Sequence, residues 1–296
     1  MEQNKIYNLN FLDNTLPDKC AQLIIADPPY FEVKGSFDFI WKSFDDYLKD
    51  VEKWAIECKR ILSDNGTLFW YGHAKKLAYS QIILDKYFNL ENNLVWYKFD
   101  SQTNKSIAYL NCFAPTTERI LMYSKNENFD FFRNYLKEAR SKKGMTIKQV
   151  AKEMGVYGAL YGFYEQNNTG SQIPTKDQYN KLVKILELDI EYDKIARCFN
   201  NEGMLNDVLK FSQEAHITGN YDHDTCKPET LTRALILTCS RENDLVVVPF
   251  AGSGTECAMS AKENRNFIGF DIESKYVEMA NKRCAEHLRT QALFSF

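Results

Sequence analysis

Apolar and polar residues alternate in blocks at both ends of the chain. Short apolar runs predict strands at "AQLIIA", "GTLFWYG", "NNLVWYK", "ERILMYS", "DLVVVPF" and "NFIGFDI". Between them, apolar residues recur every three or four positions and predict helices, as in "FDDYLKDVEKWAIECKRIL", "PETLTRALILTCS" and "SKYVEMANKRCAEHL". This alternation predicts an α/β fold, in which helices cover a mostly parallel sheet.

The middle of the chain has a different pattern. Residues 131–200 are rich in Lys and Gln and are helical in periodicity throughout, with Thr146 as a predicted N-cap and Gln149 three residues later. We therefore predict a small all-helical insertion there, while residues 1–130 and 201–296 build one sheet between them.

Composition narrows the functional classes. Hydrophobic residues make up 44% of the chain, and 37 basic residues stand against 40 acidic ones, so any nucleic acid must be held by a local basic face. The eight cysteines form no C-x-x-C pair, and we expect no metal site. With no signal-like or membrane-spanning apolar run, we expect a cytoplasmic protein without a membrane partner.

A glycine-containing turn follows the strand "DLVVVPF". In "AGSGT", Gly252 and Gly254 allow a sharp turn and a close approach to a ligand, and the helix that opens at Thr255 offers free N–H groups to a carboxylate. Asp271 ends the next strand about 20 residues downstream, where an acid can accept both hydroxyls of a ribose. The pattern favours a nucleoside cofactor over a purely structural turn.

The stretch "ADPPY", from Ala26 to Tyr30, ends a buried strand with a carboxylate, two prolines and an aromatic ring. A turn that merely stops the sheet is one interpretation. Taken with "HDTCKP" and "PFAGSGT" in that order, however, it resembles the beta-class amino-methyltransferases of DNA. In that class the catalytic half precedes the cofactor half, a circularly permuted order.

This resemblance implies a Rossmann-like seven-stranded methyltransferase sheet with one antiparallel strand. It also implies S-adenosyl-L-methionine as cofactor and double-stranded DNA as substrate, with the target base flipped out of the helix. Asp27 and the carbonyl of Pro28 would accept hydrogen bonds from the amino group, Pro29 would stiffen the backbone, and Tyr30 would stack on the base. The first residue of "DPPY" favours adenine N6, with cytosine N4 as the alternative.

The resemblance further implies a set of cofactor-binding residues. They are Asn10, His223, Lys227, Pro249, Phe250, Ala251, Gly252, Ser253, Gly254, Thr255 and Asp271. The chain departs from the family at Val248, where relatives carry an acid that receives the ammonium group of the cofactor. Asp271 or the carbonyls of the glycine turn could compensate, and a catalytically weakened DNA-binding regulator or partner subunit is a second hypothesis.

Within the insertion, "LKEARSKKGMTIKQVAKEMGV" resembles a repressor-like helix-turn-helix, followed by a shortened or irregular helix in "GALYGFYEQ". Basic residues of this segment and of the loop after "LVWYK" are candidates for contact with DNA. Tyrosines of the segment are further candidates, and packing in the core of the insertion is the alternative for them. The predicted DNA-binding residues are Lys98, Lys105, Arg140, Lys142, Lys143, Lys148, Tyr161 and Tyr164. A homodimer and a cognate restriction endonuclease are further expected partners.

Overall fold

The computed structural model describes residues 1–33, 38, 40–100, 113–125, 128–166, 173–213 and 226–294. The chain folds into two compact units. The first combines Met1–Lys125 with Cys198–Phe296, and the second is Asn126–Arg197. These boundaries lie within a few residues of the borders 130/131 and 200/201 that the sequence suggests.

The first unit contains one sheet, in which eight strands are described. The strands are β1 (Lys5–Asn8), β2 (Ala21–Ala26), β3 (Leu62–Gly72), β4 (Phe88–Tyr97), β5 (Thr117–Lys125), β6 (Val208–Lys210), β7 (Leu245–Val248) and β8 (Asn266–Asp271). Their order across the sheet is β1-β8-β7-β2-β3-β5-β4-β6. Strand β5 runs antiparallel to both of its neighbours, and the other pairs are parallel. The predicted mostly parallel sheet with one antiparallel strand is confirmed.

The expected count of seven strands is wrong by one, because the described sheet has a short extra strand at its edge. Strand β6 has three residues and pairs only along Val95–Tyr97 of β4. Trp96 Nε1 donates a hydrogen bond to the carbonyl oxygen of Phe211, 3.0 Å away, which fastens the segment that follows β6. So short a strand carries too few residues for an apolar alternation to predict it.

Helices cover both faces of this sheet. They are α1 (Phe44–Ile61), α2 (Leu77–Leu84), α8 (Glu229–Cys239), α9 (Thr255–Lys262) and α10 (Ser274–Phe294). Alternate residues of a strand point to opposite faces. Accordingly, Leu23 and Ile25 of β2 lie in one apolar core with residues of α8, α9 and α10, whereas Ile24 lies in another with residues of α1 and α2.

The second unit is a helical cluster with its own apolar core. Its helices are α3 (Asn128–Lys142), α4 (Ile147–Met154), α5 (Gly158–Glu165), α6 (Lys176–Leu186) and α7 (Tyr192–Ile195). The predicted cap is confirmed, because Thr146 and Gln149 form a reciprocal capping box at the start of α4. Helix α5 has eight residues, as expected for a shortened helix. Across the described helices of both units, none is long and apolar enough to cross a membrane.

Candidate active site

The two motifs singled out in the sequence meet at one edge of the sheet. Strands β2 and β7 are parallel neighbours, with Leu23 opposite Val246 and Ile24 opposite Val247. Asp27 follows β2 directly, and the glycine turn follows β7. Because the carboxyl ends of parallel strands point to the same edge, the register places a carboxylate beside a backbone turn suited to a ligand.

The side chain of Asp27 is held by two donors. The hydroxyl of Tyr30 donates to Oδ1 at 2.6 Å, and Nζ of Lys227 lies 2.8 Å from Oδ2. The backbone N–H of Tyr30 in turn donates to Oδ1 of the buried Asp38 at 2.6 Å. These contacts fix the carboxylate and the aromatic ring relative to each other.

Lys227 links Asp27 to a second acid. Its Nζ lies 3.4 Å from Oε2 of Glu118, and Lys98 pairs with the other carboxylate oxygen of Glu118. Burial by itself lowers the pKa of Lys227, but the charges of Asp27 and Glu118 outweigh burial and raise it above its ordinary value. Burial raises the pKa of Glu118, and the two lysines more than offset this and lower the pKa to about 2. Asp27, Lys227, Glu118 and Lys98 thus form a largely buried chain of alternating charges, in which Lys227 is the most buried member.

The glycine turn is shaped by a close approach of α10. Gly254 has φ of 74°, and a Cβ added there would lie 2.5 Å from the Cβ of Ala280. The N–H of Gly252 donates to Oδ2 of Asp271 at 2.8 Å, and Oδ1 of Asp271 accepts from the N–H of Glu273 at 2.9 Å. The acid that was predicted to hold a ribose therefore also ties the turn to the end of β8.

Arg283 of α10 fastens the same turn and was missed in the sequence. Its guanidinium donates to Oγ1 of Thr255 at 2.9 Å and to the carbonyl oxygen of Ser253 at 3.3 Å, and it pairs with Glu229 at 2.7 Å. Only 4% of Arg283 is exposed. Arg283 lies in a terminal helix with many other polar residues. The helical periodicity of the sequence does not indicate which of them contacts the glycine turn.

A second missed residue is Glu256, the second residue of α9. It is 5% exposed, and its Oε1 has no hydrogen-bond partner among the described residues. Burial, and then the negative charge of Asp27, raise the pKa of Glu256 to about 7. The hydroxyl of Tyr71, fully buried nearby in the field of Glu256 and Asp27, likewise has no partner in the described part of the chain.

The remaining predicted cofactor residues lie in different surroundings. Pro249 and Ala251 are buried, and Phe250 packs its ring 4.9 Å from that of Trp54. Asn10 follows β1 and caps the 3-10 turn Phe11–Asp13 by accepting from the N–H of Leu12. His223 lies outside the described residues. Lys227 contacts Asp27 and Glu118, so its place in the site is at the carboxylate.

The predicted DNA contacts of two tyrosines need correction, and two basic candidates have acidic partners. Tyr161 and Tyr164 are 0% and 3% exposed and lie in the core of the second unit, where apolar burial favours their rings. Arg140 pairs with the buried Glu165 through three hydrogen bonds, and Lys98 is committed to Glu118. Burial takes Tyr161 and Tyr164 away from a DNA-facing surface, whereas Arg140 and Lys98 stay predictions.

The other basic candidates stay predictions. Lys142, Lys143 and Lys148 are exposed on the second unit, although Lys143 also pairs with Glu187. Lys105 lies outside the described residues.

Comparison with known proteins identifies the class to which this fold and site belong. The model of the DNA methylase family, which covers N6 and N4 methylases, matches residues 21–282. The chain belongs to this family, and its motif order and sheet agree with that membership.

Individual relatives match along nearly the whole chain. The chain is 27% identical over 286 residues to the DNA adenine methyltransferase YhdJ of Escherichia coli, covering 94% of this chain and 81% of that protein. It is 28% identical over 294 residues to the type II methyltransferase M1.MboII of Moraxella bovis, covering 95% and 96%.

Solved structures show the same fold at lower identity. The M1.HpyAVI–SAM complex aligns with a TM-score of 0.58 at 19% identity, covering 94% of this chain and 98% of that one. The cytosine-N4-specific PvuII DNA methyltransferase aligns with a TM-score of 0.56 at 14% identity, covering 96% and 90%.

Proposed function

We propose that this protein transfers a methyl group from S-adenosyl-L-methionine to N6 of an adenine in double-stranded DNA. The observation that carries the proposal is the position of Asp27, whose carboxylate lies at the sheet edge where the glycine turn after β7 also emerges. The family match supports DNA methylation, and the adenine methyltransferase among the relatives supports the choice of base.

The residues of the cleft suit the cofactor. The turn from Gly252 to Gly254 brings backbone close to a ligand, and the first turn of α9 presents N–H groups to its carboxylate. Asp271 stands at the end of β8, in position to accept ribose hydroxyls. When bound, the cofactor supplies a methyl group on an electron-poor sulfonium centre.

The chemical task of Asp27 follows from the weak nucleophilicity of an amino group on an aromatic base. Its lone pair is delocalised into the ring, and acceptors on the two N–H bonds draw the nitrogen toward a tetrahedral geometry. In this proposal Asp27 and the carbonyl oxygen of Pro28 accept those bonds, and the flipped base stacks on the ring of Tyr30. Lys227 and Tyr30 hold the carboxylate in one orientation before the base arrives.

Adenine is favoured over cytosine by the "DPPY" motif and by the named function of the relative from Escherichia coli. The fold does not separate the two bases, because a cytosine-N4-specific enzyme shares it.

The proposal includes a helix-turn-helix-like role for the second unit, whose exposed lysines would contact DNA phosphates. A homodimer, a cognate restriction endonuclease and a cytoplasmic location belong to the same proposal.

The direct test incubates the full chain with DNA and methyl-labelled S-adenosylmethionine, digests the DNA to nucleosides and identifies the labelled one. N6-methyladenosine as its deoxynucleoside is the expected product. Labelled N4-methylcytosine would instead establish the cytosine alternative. DNA binding without any transfer would favour a regulator or partner subunit.

A further inference from the structure

The buried acid Glu256 has one carboxylate oxygen without a hydrogen-bond partner among the described residues. It stands in the first turn of α9, immediately after the glycine turn, and 5% of it is exposed. Its Oε1 has no hydrogen-bond partner among the described residues, although the carboxylate accepts a hydrogen bond from the backbone N–H of its own residue. A carboxylate oxygen removed from water without a partner is costly, and such a group beside the glycine turn is a candidate for binding a ligand.

The charges around the cleft are also unbalanced. When Glu256 is ionised, three carboxylates, those of Asp27, Glu118 and Glu256, stand against the two ammonium groups of Lys98 and Lys227. Arg283, the other cation that acts on Glu256, is engaged with the backbone of the turn and with Glu229. A ligand with a net positive charge would balance the cluster, and S-adenosylmethionine carries a sulfonium, an ammonium and one carboxylate.

Geometry selects the ammonium as the group that meets Glu256. The ammonium and carboxylate of an α-amino acid share one carbon atom, so a carboxylate docked on the first turn of α9 places the ammonium beside that same turn. Glu256 is the acid in that turn, and it lies near enough to Asp27 and Tyr71 for the charges of these groups to act on one another.

The sequence lacks the usual acid for this contact. The family resemblance implies an acid directly before the "PF" of the cofactor strand, and here that position is Val248, which is 1% exposed in an apolar core. We propose that Glu256 receives the α-ammonium group of S-adenosylmethionine and so replaces, from the other side of the glycine turn, the acid that is missing at Val248. This inference rests on the proposed function.

The test measures binding, with no transfer step, on the full chain by titration calorimetry. One ligand is S-adenosylhomocysteine, and the second is its analogue in which hydrogen replaces the α-amino group. The wild-type protein is expected to bind the first ligand roughly ten- to one-hundred-fold more tightly, the range for loss of a charge-assisted hydrogen bond. In Glu256→Gln this preference should fall to roughly threefold or less, within the range of a neutral hydrogen bond.

Two controls separate this contact from a general effect on the site. Methylthioadenosine, which lacks the amino-acid part, should bind wild type and Glu256→Gln equally. Glu263→Gln changes an acid at the far end of the same helix, where it pairs with the half-exposed Arg233, and should keep the full preference.

The inference is overturned if Glu256→Gln retains the wild-type preference, or if the wild-type protein itself binds the two ligands equally. The comparison of the two ligands on the wild-type protein does not depend on the folding of a variant. If S-adenosylhomocysteine does not bind the wild-type chain at all, the proposed cofactor fails, and this contact fails with it. If Glu256→Gln binds S-adenosylhomocysteine and keeps the wild-type preference for it over the analogue without the amino group, the ammonium contact is overturned and the proposed function stands.

Discussion

Asp27 is the residue on which the proposed chemistry depends. Replacing it with Asn keeps the shape of the side chain but removes the negative charge and one acceptor for the target amino group. We expect Asp27→Asn to lower labelled-methyl transfer by at least about one-hundred-fold, comparable to the loss of a preorganised transition-state contact. Binding of S-adenosylhomocysteine should persist.

Asp18→Asn is the matched control for Asp27→Asn. Asp18 is an exposed acid that precedes strand β2, whereas Asp27 follows it, and Asp18 forms a surface ion pair with Arg60. Asp18→Asn should leave transfer unchanged within about twofold, since a surface pair contributes little. Substantial transfer by Asp27→Asn would remove this carboxylate from the mechanism.

Glu256 also makes a prediction for the protein without cofactor. Because burial and Asp27 raise its pKa from 4.5 to about 7, the folded protein holds a proton there that the unfolded chain releases. The stabilisation from this group is complete below pH 4.5 and is lost as the pH rises through about 7. The charged or titratable groups of Lys227, Arg283 and Tyr71 also act on this carboxyl group. They are present both in the wild-type protein and in the variant Glu256→Gln, so their own titration cancels in the comparison.

Glu256→Gln removes that titration. Between about pH 5 and about pH 8, its free energy of unfolding should rise relative to wild type, by at most about 3 kcal/mol. Urea unfolding of both proteins at the two pH values measures the change. A difference that does not vary with pH would show that Glu256 titrates as it does in water.

At the scale of elements, the strand-turn-helix after β7 depends on the absence of a side chain at Gly254. Gly254→Ala meets two penalties there, a positive φ and a Cβ only 2.5 Å from that of Ala280 on α10. We expect a loss of about 2–4 kcal/mol in the free energy of unfolding and weaker binding of S-adenosylhomocysteine.

Gly155, at the end of α4, separates the two penalties. It has φ of 73°, and nothing lies within 4 Å of an added Cβ. Gly155→Ala should therefore cost only about 1 kcal/mol, the conformational part alone. Denaturant unfolding gives both values, and equal losses would mean that α10 yields to the added methyl group.

The elements also show how far the sequence could predict this fold. The strand "AQLIIA" coincides with β2 because six apolar-rich residues between polar neighbours leave little choice of period. Strand β6 escaped prediction because three residues have no period, and its pairing with β4 is a contact distant in sequence. Local pattern predicts an element only where the element is long enough to show one.

The candidate site divides in the same way. Asp27 and the glycine turn could be found because each occupies a short motif at the end of a strand. Arg283, Glu118 and Glu256 lie inside regular elements, where their roles come from neighbours brought by the fold. Tyr161 and Tyr164 failed as DNA contacts for the converse reason, since an aromatic side chain on a short helix serves a core equally well.

At the scale of the whole molecule, the net charge of -3 limits how DNA can be held. A protein that is not basic overall binds DNA through a local face, and the proposed face is the exposed lysines of the second unit. A lysine that neutralises one phosphate releases condensed counterions, so its removal should change the salt dependence of binding by a predictable amount.

We therefore expect Lys142→Gln and Lys148→Gln each to weaken binding to specific and unrelated duplexes alike, and to reduce the slope of log affinity against log salt by about 1. Fluorescence anisotropy over a salt series measures this. The control is Lys49→Gln, which removes an exposed lysine of α1 that pairs with Asp46. If the slope changed equally in all three variants, the effect would be one of total charge and the second unit would lose its assigned role. If it changed in none, the DNA-binding lysines would have to lie elsewhere in the chain.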